Sequence, residues 1–229
     1  MKNANFPYRL ATAIAIIFHA IGLLGILFFD QSFFINTSAI NLLLMGILLI
    51  YTQQKPNKYF VFFLLTCMLA GMLAEIIGTH TGLLFGGYQY GKVLGPTFQG
   101  VPYIIAVNWF IIIYCSGISI QTLLTKLVDK LTEQVGGPRP GLKALSIIVD
   151  GATLAAVFDW VMEPVAIKLG YWQWLGNGDI PLFNYLSWFV VSALLLMVFQ
   201  YCPFPKQNKF AINLLLIQVM FFLLLRTFL

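Results

Sequence analysis

The stretch FDWVMEPVAIKLGYWQW, residues 158–174, ends a long apolar run with two acids, a proline and an aromatic segment. Asp159 and Glu163 are four residues apart, so on a helix they share one face. Pro164 cannot donate a hydrogen bond to the carbonyl of Trp160, and it disfavours helical backbone at the residue before it. We therefore expect the helix to end or kink at Glu163 and to leave a bare carbonyl beside the two acids.

The rest of the chain is as apolar as this run. Of the 229 residues, 60% are hydrophobic and 9% are charged, and the mean hydropathy is +0.87. A soluble domain needs more charged surface than this. The composition predicts an all-α, polytopic transmembrane helical bundle, with residues 1–229 as a single integral membrane domain. No basic stripe is interleaved with aromatics, so we expect no nucleic-acid partner.

Seven apolar segments approach the length of about 20 residues that a membrane-spanning helix needs. They are about 8–29, 34–52, 59–78, 101–123, 143–164, 181–202 and 208–228. The first is too long for the apolar region of a signal peptide and no small-x-small cleavage site follows it, so we expect a retained span.

The basic residues are divided unequally between the two sides of these spans. Ten of the 13 lie on the N-terminal side: Lys2, Arg9, Lys55, Lys58, Lys126, Lys130, Arg139, Lys143, Lys206 and Lys209. Lys92, Lys168 and Arg226 lie on the other. The positive-inside rule then places the N-terminus in the cytoplasm and the C-terminus outside. We expect the protein in a bacterial cytoplasmic (inner) membrane.

Two segments on the outer side are too aromatic for solvated linkers. Residues 79–100 contain six glycines among Phe85, Tyr88, Tyr90 and Phe98, and residues 165–180 contain Tyr171, Trp172 and Trp174. We interpret them as two aromatic, Gly-rich loops lying over the outer helix ends. An aromatic belt at the membrane interface is the open alternative for any one Trp or Tyr. The glycines lack the sequence of a phosphate-binding loop.

Four acids fall inside predicted spans: Glu75, Asp150, Asp159 and Glu163. A carboxylate in hydrocarbon is costly, so each is a candidate functional residue. From the helix rise, Glu75, Asp159 and Glu163 lie at similar depths under the aromatic loops. Asp150 is about 180° away from Asp159 on α-helical geometry, and we assign it to a separate contact, such as Ser or Thr hydroxyls.

Several polar residues are predicted near the same level. Asn108 lies about 10 Å below the outer end of the fourth span, His80 just above Glu75, and Asn184 near the start of the sixth span. Simpler roles remain open: Glu75 and Glu163 can reach the near interface, and His80 can make a loop hydrogen bond. His19, midway along the first span without an acidic neighbour in sequence, is interpreted as a packed neutral histidine.

The chain has no nucleophile elbow, no HExxH sequence and no cluster with metal-ligand spacing. What remains is a set of carboxyls in a medium of low dielectric constant. Close acids there share a proton, and such a pair can act as general acid and general base. Aromatic faces can stabilise a carbocation. The residues therefore indicate acid–base chemistry on a hydrophobic alkene that arrives through the lipid.

Two stretches resemble the carotenoid 1,2-hydratase family, integral membrane enzymes that hydrate γ-carotene or bisanhydrobacterioruberin. They are AEIIGTHTGLLFGGYQYG…LGP…GVPYIIAVNW (74–109) and FDWVMEPVAIKLGYWQW…IPLFNYLSWF (158–189). The resemblance covers most of residues 70–190, whereas the first two spans and the last match only as apolar helices. The acid before Pro164 is Glu here, and either acid is expected in the family.

This resemblance implies addition of water across the terminal 1,2 double bond of an acyclic ψ end group, without a redox cofactor or metal. The resemblance assigns no role to any individual residue, so the following roles are our hypotheses. Asp159 and Glu163 form the acid–base pair, with Glu75 setting their proton sharing. His80, Asn108 and Asn184 hold the water. The end-group pocket is formed by Tyr88, Tyr90, Trp109, Trp172 and Trp174. The expected partners are a carotenoid from the bilayer and water.

Four alternative functions remain from sequence, and the photoreceptor is the least supported of them. A membrane carotenoid cyclase would begin with the same protonation but needs a dry pocket. A seven-helix photoreceptor needs a lysine midway along the last span, where only Lys209 is found, at the edge. A transporter should carry polar groups through the full depth of the membrane, and a pigment-binding scaffold would be inactive.

Overall fold

The computed structural model describes residues 6–135 and 140–229, and it describes side chains from residue 7 to 127 and from 141 to 229. Lys2 and Arg139, two of the basic residues counted above, lie outside the described residues. So do the central residues of the loop between the fourth and fifth predicted spans.

The described chain is mainly helical, which confirms the predicted all-α bundle. Its helices are α1 (Phe6–Phe28), α2 (Gln31–Asn36), α3 (Ser38–Thr52), α4 (Lys58–Thr81), α5 (Tyr103–Val135), α6 (Pro140–Lys168), α7 (Leu182–Tyr201) and α8 (Lys209–Phe228). Among the described residues, six helices are long and apolar enough to cross a membrane: α1, α4, α5, α6, α7 and α8.

The second predicted span is divided between α2 and α3, and α3 has only 15 residues. It nevertheless connects the two ends of the bundle. Ser38, at its start, is hydrogen-bonded to Tyr171 just beyond α6, and Gln53, just after its end, donates to the carbonyl of Pro205 just before α8. In the described residues, α3 therefore adds a short pass between the ends of the bundle to the six helices that are long enough to span a membrane.

Helix α5 is the centre of the bundle and packs against α3, α4, α6, α7 and α8. The outer helix faces carry large apolar side chains: Leu69 on α4 is 65% exposed and Leu194 on α7 is 54% exposed. Such a surface suits lipid as the solvent. The protein is therefore an integral membrane protein in which α4 and α6, the helices with the buried acids, both pack on α5.

Of the two expectations for Glu163, an end or a kink of the helix, the end is wrong, because α6 continues through Pro164 to Lys168. Because Pro164 has no N–H, the carbonyl of Trp160 lacks its usual helical donor, and the structure shows which group replaces that donor. Arg226 of α8 donates to the carbonyl oxygen of Trp160 at 3.1 Å, and its guanidinium lies 4.5 Å from the centre of the Trp160 ring. A neighbouring helix thus satisfies the freed carbonyl, as is common for prolines in membrane helices.

Both predicted aromatic loops lie at one end of the bundle, which we call the site end, and they pair with each other. Strand β1 (Tyr88–Tyr90) from the first loop is antiparallel to β4 (Trp172–Trp174) from the second. At the end of the first loop, β2 (Thr97–Phe98) forms a small hairpin with β3 (Val101–Pro102), which directly precedes α5. The pairing of β1 with β4 joins the two loops, which are far apart in the sequence, into one cover over the helix ends.

Candidate active site

Strand alternation turns four aromatic side chains of the cover in one direction. In the register, Tyr88 is opposite Trp174, and Tyr90 is opposite Trp172. Because residues i and i+2 of a strand lie on the same face, these four rings share a face, and the intervening Gln89 and Gln173 point the other way. Both glutamines are exposed. The YQY and WQW sequences therefore present hydroxyl and indole donors to whatever lies beneath.

Beneath the cover lies Glu75 of α4, which is only 4% exposed. One of its oxygens, Oε2, accepts hydrogen bonds from the hydroxyls of Tyr88 and Tyr90, the latter at 2.7 Å. The other, Oε1, accepts from the indole of Trp109 on α5 at 2.9 Å. Three donors on one carboxylate stabilise its negative charge and so offset part of the cost of burying it.

A glycine allows Trp109 to reach this carboxylate. A Cβ atom at Gly71, one helical turn before Glu75, would lie 2.3 Å from the Trp109 ring. Trp109 is also stacked on Trp188 of α7, with ring centres 4.2 Å apart. The indole is thus fixed between α4 and α7.

Glu163 is the second acid under the cover. Its Oε1 accepts from the indole N–H groups of Trp172 at 2.7 Å and Trp174 at 2.6 Å. Cross-strand aromatic contacts connect this acid to the first, since the rings of Tyr88 and Trp174 are 5.3 Å apart and those of Tyr90 and Trp172 are 5.9 Å apart. The four rings of the sheet therefore hold two carboxyls from different helices.

Asp159, one turn earlier on α6, is completely buried. Its Oδ2 accepts one hydrogen bond from the amide of Asn184 on α7 at 2.7 Å. Within the described part of the chain, its Oδ1 has no hydrogen-bond partner. Asp159 thus has fewer donors than either glutamate and one carboxyl oxygen available.

All three carboxyls line one cavity of about 350 Å³. Its other lining residues are Phe85, Tyr88, Tyr90, Ile105, Asn108, Met162, Trp172, Trp174, Asn184 and Trp188. Among the described residues, the lining includes no lysine, arginine or histidine, so no basic side chain there neutralises the acids. In such surroundings close carboxyls retain protons between them, because full ionisation would place like charges together.

The phenols of the cover remain donors. Burial, together with the negative charge of Glu75, raises the pKa of Tyr88 and of Tyr90 above the ordinary tyrosine value. Both hydroxyls are therefore protonated at physiological pH and keep donating to Glu75.

The structure thus brings together most of the residues proposed from sequence. Glu75, Asp159 and Glu163 line the cavity, as do Tyr88, Tyr90, Asn108, Trp172, Trp174 and Asn184. Trp109 lies behind the lining and contacts Glu75. The roles assigned to them stay predictions.

Two residues lie elsewhere. His80, in the last turn of α4, is exposed and is hydrogen-bonded at 2.9 Å to the carbonyl of Ile76 in the same helix, rather than to a loop. Asp150 is exposed on α6, and within the described residues it has no hydrogen bond to a Ser or Thr hydroxyl.

Sequence reasoning missed four lining residues: Phe85, Ile105, Met162 and Trp188. A signal was available for Trp188, which follows Asn184 by one helical turn and so shares its face. Ile105 and Met162 are apolar residues in apolar helices, and nothing in the sequence distinguishes them. In the described residues, no group of three or more His, Cys, Asp and Glu side chains has the arrangement of a metal site.

The sequence of this chain is similar to those of known proteins. Residues 35–229 match the model of a family described as "Carotenoid biosynthesis protein". The chain is also 26% identical over 133 residues to the bisanhydrobacterioruberin hydratase of Haloarcula japonica. That match covers 56% of this chain and 40% of the relative, so the chain corresponds to less than half of that protein's length. No solved structure matches the chain significantly.

Proposed function

Since the chain belongs to the carotenoid biosynthesis protein family, we propose that it is a hydro-lyase that adds water to an acyclic carotenoid. The reacting bond is the terminal 1,2 double bond of a ψ end group, and the product is a tertiary 1-hydroxy carotenoid. The observation that carries the proposal is the meeting of Glu75, Asp159 and Glu163 in one buried cavity that is otherwise largely aromatic. The name of the Haloarcula japonica relative, a hydratase, agrees with it.

The unequal hydrogen bonding of the acids suggests their roles. Glu75 with three donors and Glu163 with two are the better stabilised carboxylates, whereas Asp159 has one donor and an unpaired oxygen. We assign the proton to Asp159. It protonates C2 of the alkene, so that the π electrons form the new C–H bond and a tertiary cation develops at C1.

Glu163 then acts as the general base. It accepts a proton from a water molecule while the water oxygen forms the bond to C1, which completes the hydration. Glu163 shares a helix face with Asp159, so the proton can return to Asp159 and restore the starting state. Overall one alkene and one water give one alcohol, without a redox change.

The surroundings suit the cationic intermediate. The charge of Glu75 and the faces of Tyr88, Trp172 and Trp174 stabilise positive charge nearby. The amide groups of Asn108 and Asn184 can orient the water. A cyclase would need the same proton donor, but its cation would have to react with an internal double bond before water could reach it.

We also propose that the N-terminus is cytoplasmic and that the site end faces the outer side of a bacterial inner membrane. The distribution of ten basic residues against three supports this orientation. The acid cavity would then lie in the outer half of the bilayer.

Pigment analysis in a lycopene-producing host tests the reaction. The protein should yield carotenoids that have gained the mass of one or two waters, separated by chromatography and identified by mass spectrometry. Asp159→Asn keeps the shape of the side chain and an acceptor for Asn184, but it cannot supply a proton, so we expect a loss of about 100-fold or more. A product of unchanged mass with a shifted absorption spectrum would mean cyclisation, and full activity of a folded Asp159→Asn protein would reject the assigned acid.

A further inference from the structure

A second cavity, of about 640 Å³, adjoins the candidate active site. Ile105, Asn108, Met162 and Trp172 line both cavities and so form the partition between them. Five of its ten other lining residues are apolar: Leu42, Leu94, Phe158, Phe221 and Phe222. The other five carry polar groups: His19, Ser38, Asn41, Tyr171 and Gln218. The acids are therefore next to a larger space inside the bundle, half of whose remaining wall is purely apolar.

The second cavity in turn adjoins a groove on the lipid-facing surface between α1 and α8. The groove has a volume of about 670 Å³, and its remaining lining is Ile16, Ala20, Leu23, Leu216, Ile217, Met220 and Leu224. His19 and Phe221 line both the second cavity and the groove. Their rings meet edge to face with centres 5.4 Å apart, so this single pair of side chains separates the interior from the lipid.

The two side chains that separate the second cavity from the groove differ in how firmly they are held. The Nδ1 atom of His19 is bonded to the carbonyl of Ala15 at 2.8 Å, which holds the imidazole against its own helix. Phe221 has no polar group to anchor it and is only partly buried. Rotation of one phenyl ring would connect the groove with the second cavity.

The candidate active site is too small for a whole carotenoid. Such a molecule is a rod comparable in length with the hydrocarbon core of a bilayer, about 30 Å, whereas the acid cavity has a volume of about 350 Å³. The space beneath the aromatic cover can therefore hold at most an end group of the molecule. The remainder of the polyene needs an apolar path that leaves the cavity without passing through water.

We propose that this path runs through the second cavity, past His19 and Phe221, and into the lipid between α1 and α8. The polyene of the substrate lies along it, and the substrate enters laterally from the membrane by the same way. The identity of the ligand as a carotenoid rests on the proposed function. The surface groove between α4 and α7, with a volume of about 1050 Å³, shares no lining residue with the acid cavity or with the second cavity, so it does not offer such a route.

The test measures bound pigment rather than turnover. Asp159→Asn protein is purified in mild detergent from lycopene-producing cells, and lycopene per protein is measured by absorbance. Adding Ala20→Trp, which fills the groove, should lower the retained lycopene about tenfold or more, equivalent to about 1.4 kcal/mol of binding free energy. Leu216→Trp, on the opposite side of the groove, should do the same. Leu194→Trp, on the lipid face of α7, is the matched control and should retain the pigment.

Gel filtration of each variant establishes that it is folded, and Phe221→Ala, which opens the wall, should retain at least as much lycopene as the parent. Equal retention in the groove and control variants, or no retention in any, overturns the path. The unmodified protein in the same host reports the reaction independently. If the unmodified protein makes hydrated pigment but the groove variants retain as much lycopene as the control, only the path is rejected. If the groove variants lose lycopene but the unmodified protein makes no hydrated pigment, only the proposed reaction is rejected.

Discussion

At the scale of single residues, Pro164 shows how a polar backbone group is tolerated next to the candidate site. The proline removes the N–H that would bond the carbonyl of Trp160, and Arg226 supplies a replacement from α8. A carbonyl without a partner in an apolar medium costs about 1–3 kcal/mol. The contact therefore ties α8 to the part of α6 that carries both acids.

This arrangement predicts a specific rescue. Arg226→Met should lower the unfolding temperature in detergent, by the equivalent of about 1–3 kcal/mol, because it leaves the Trp160 carbonyl unpaired. Pro164→Ala restores a backbone N–H four residues after Trp160, so the double variant should recover most of that loss. Thermal unfolding of the four proteins gives a double-mutant cycle. Additive effects of the two substitutions would contradict the arrangement.

Gln218 presents the opposite case, a buried amide that is not fully satisfied. It lines the second cavity, and its Oε1 has no hydrogen-bond partner within the described residues. Gln218→Leu removes this polar group at similar size and should stabilise the protein by about 1 kcal/mol, seen as a higher unfolding temperature.

Asn208→Leu is the matched control for Gln218→Leu. Asn208 is equally buried but donates to Tyr114 at 3.2 Å and to Thr52 at 3.1 Å, and it caps the start of α8 through Phe210. Its replacement should therefore destabilise the protein. A decrease in unfolding temperature for Gln218→Leu as large as for Asn208→Leu would show that Gln218 has a partner after all.

At the scale of elements, the pairing of β1 with β4 builds the site. The sequence identifies both aromatic segments, and helix periodicity places Asp159 and Glu163 on one face. The sequence does not show that YQY and WQW form one sheet, because the pairing of two strands separated by α5 and α6 leaves no local pattern. The individual hydrogen bonds, such as those from Trp172 and Trp174 to Glu163, follow from that register and were out of reach for the same reason.

The two tyrosines of the cover should also make the stability of the protein decrease at alkaline pH. Burial and the charge of Glu75 raise the pKa of Tyr88 and of Tyr90 above the ordinary value of 10.0. Their contribution to stability is therefore complete below pH 10.0 and is lost above it, where the unfolded chain releases protons that the folded chain retains. Tyr88→Phe should give a smaller decrease in unfolding temperature between about pH 10 and 11 than the unmodified protein. Parallel curves for the two proteins would contradict this coupling.

At the scale of the whole molecule, the spacing of apolar segments was the strongest signal in the sequence. Each of the seven predicted segments corresponds to a helical pass, with ends that differ by a few residues except in α5, which continues well beyond 123 to Val135. The short pass α3 was harder to define, because the break near Thr37 has neither proline nor glycine. The internal route from α1 and α8 to the acids could not be predicted, since it depends on how side chains from five helices meet.

Orientation in the membrane is the property that the whole chain determines, and it can be tested directly. Lys58 begins α4 and Lys92 follows it, so the two lie at opposite ends of one pass, and both are exposed. The three native cysteines, Cys67, Cys115 and Cys202, are buried, so a membrane-impermeant maleimide should label only an introduced cysteine. In intact cells we expect labelling of Lys92→Cys but not of Lys58→Cys, and labelling of both after permeabilisation. The reverse pattern would place the acid cavity in the inner half of the bilayer and would overturn the orientation inferred from the basic residues.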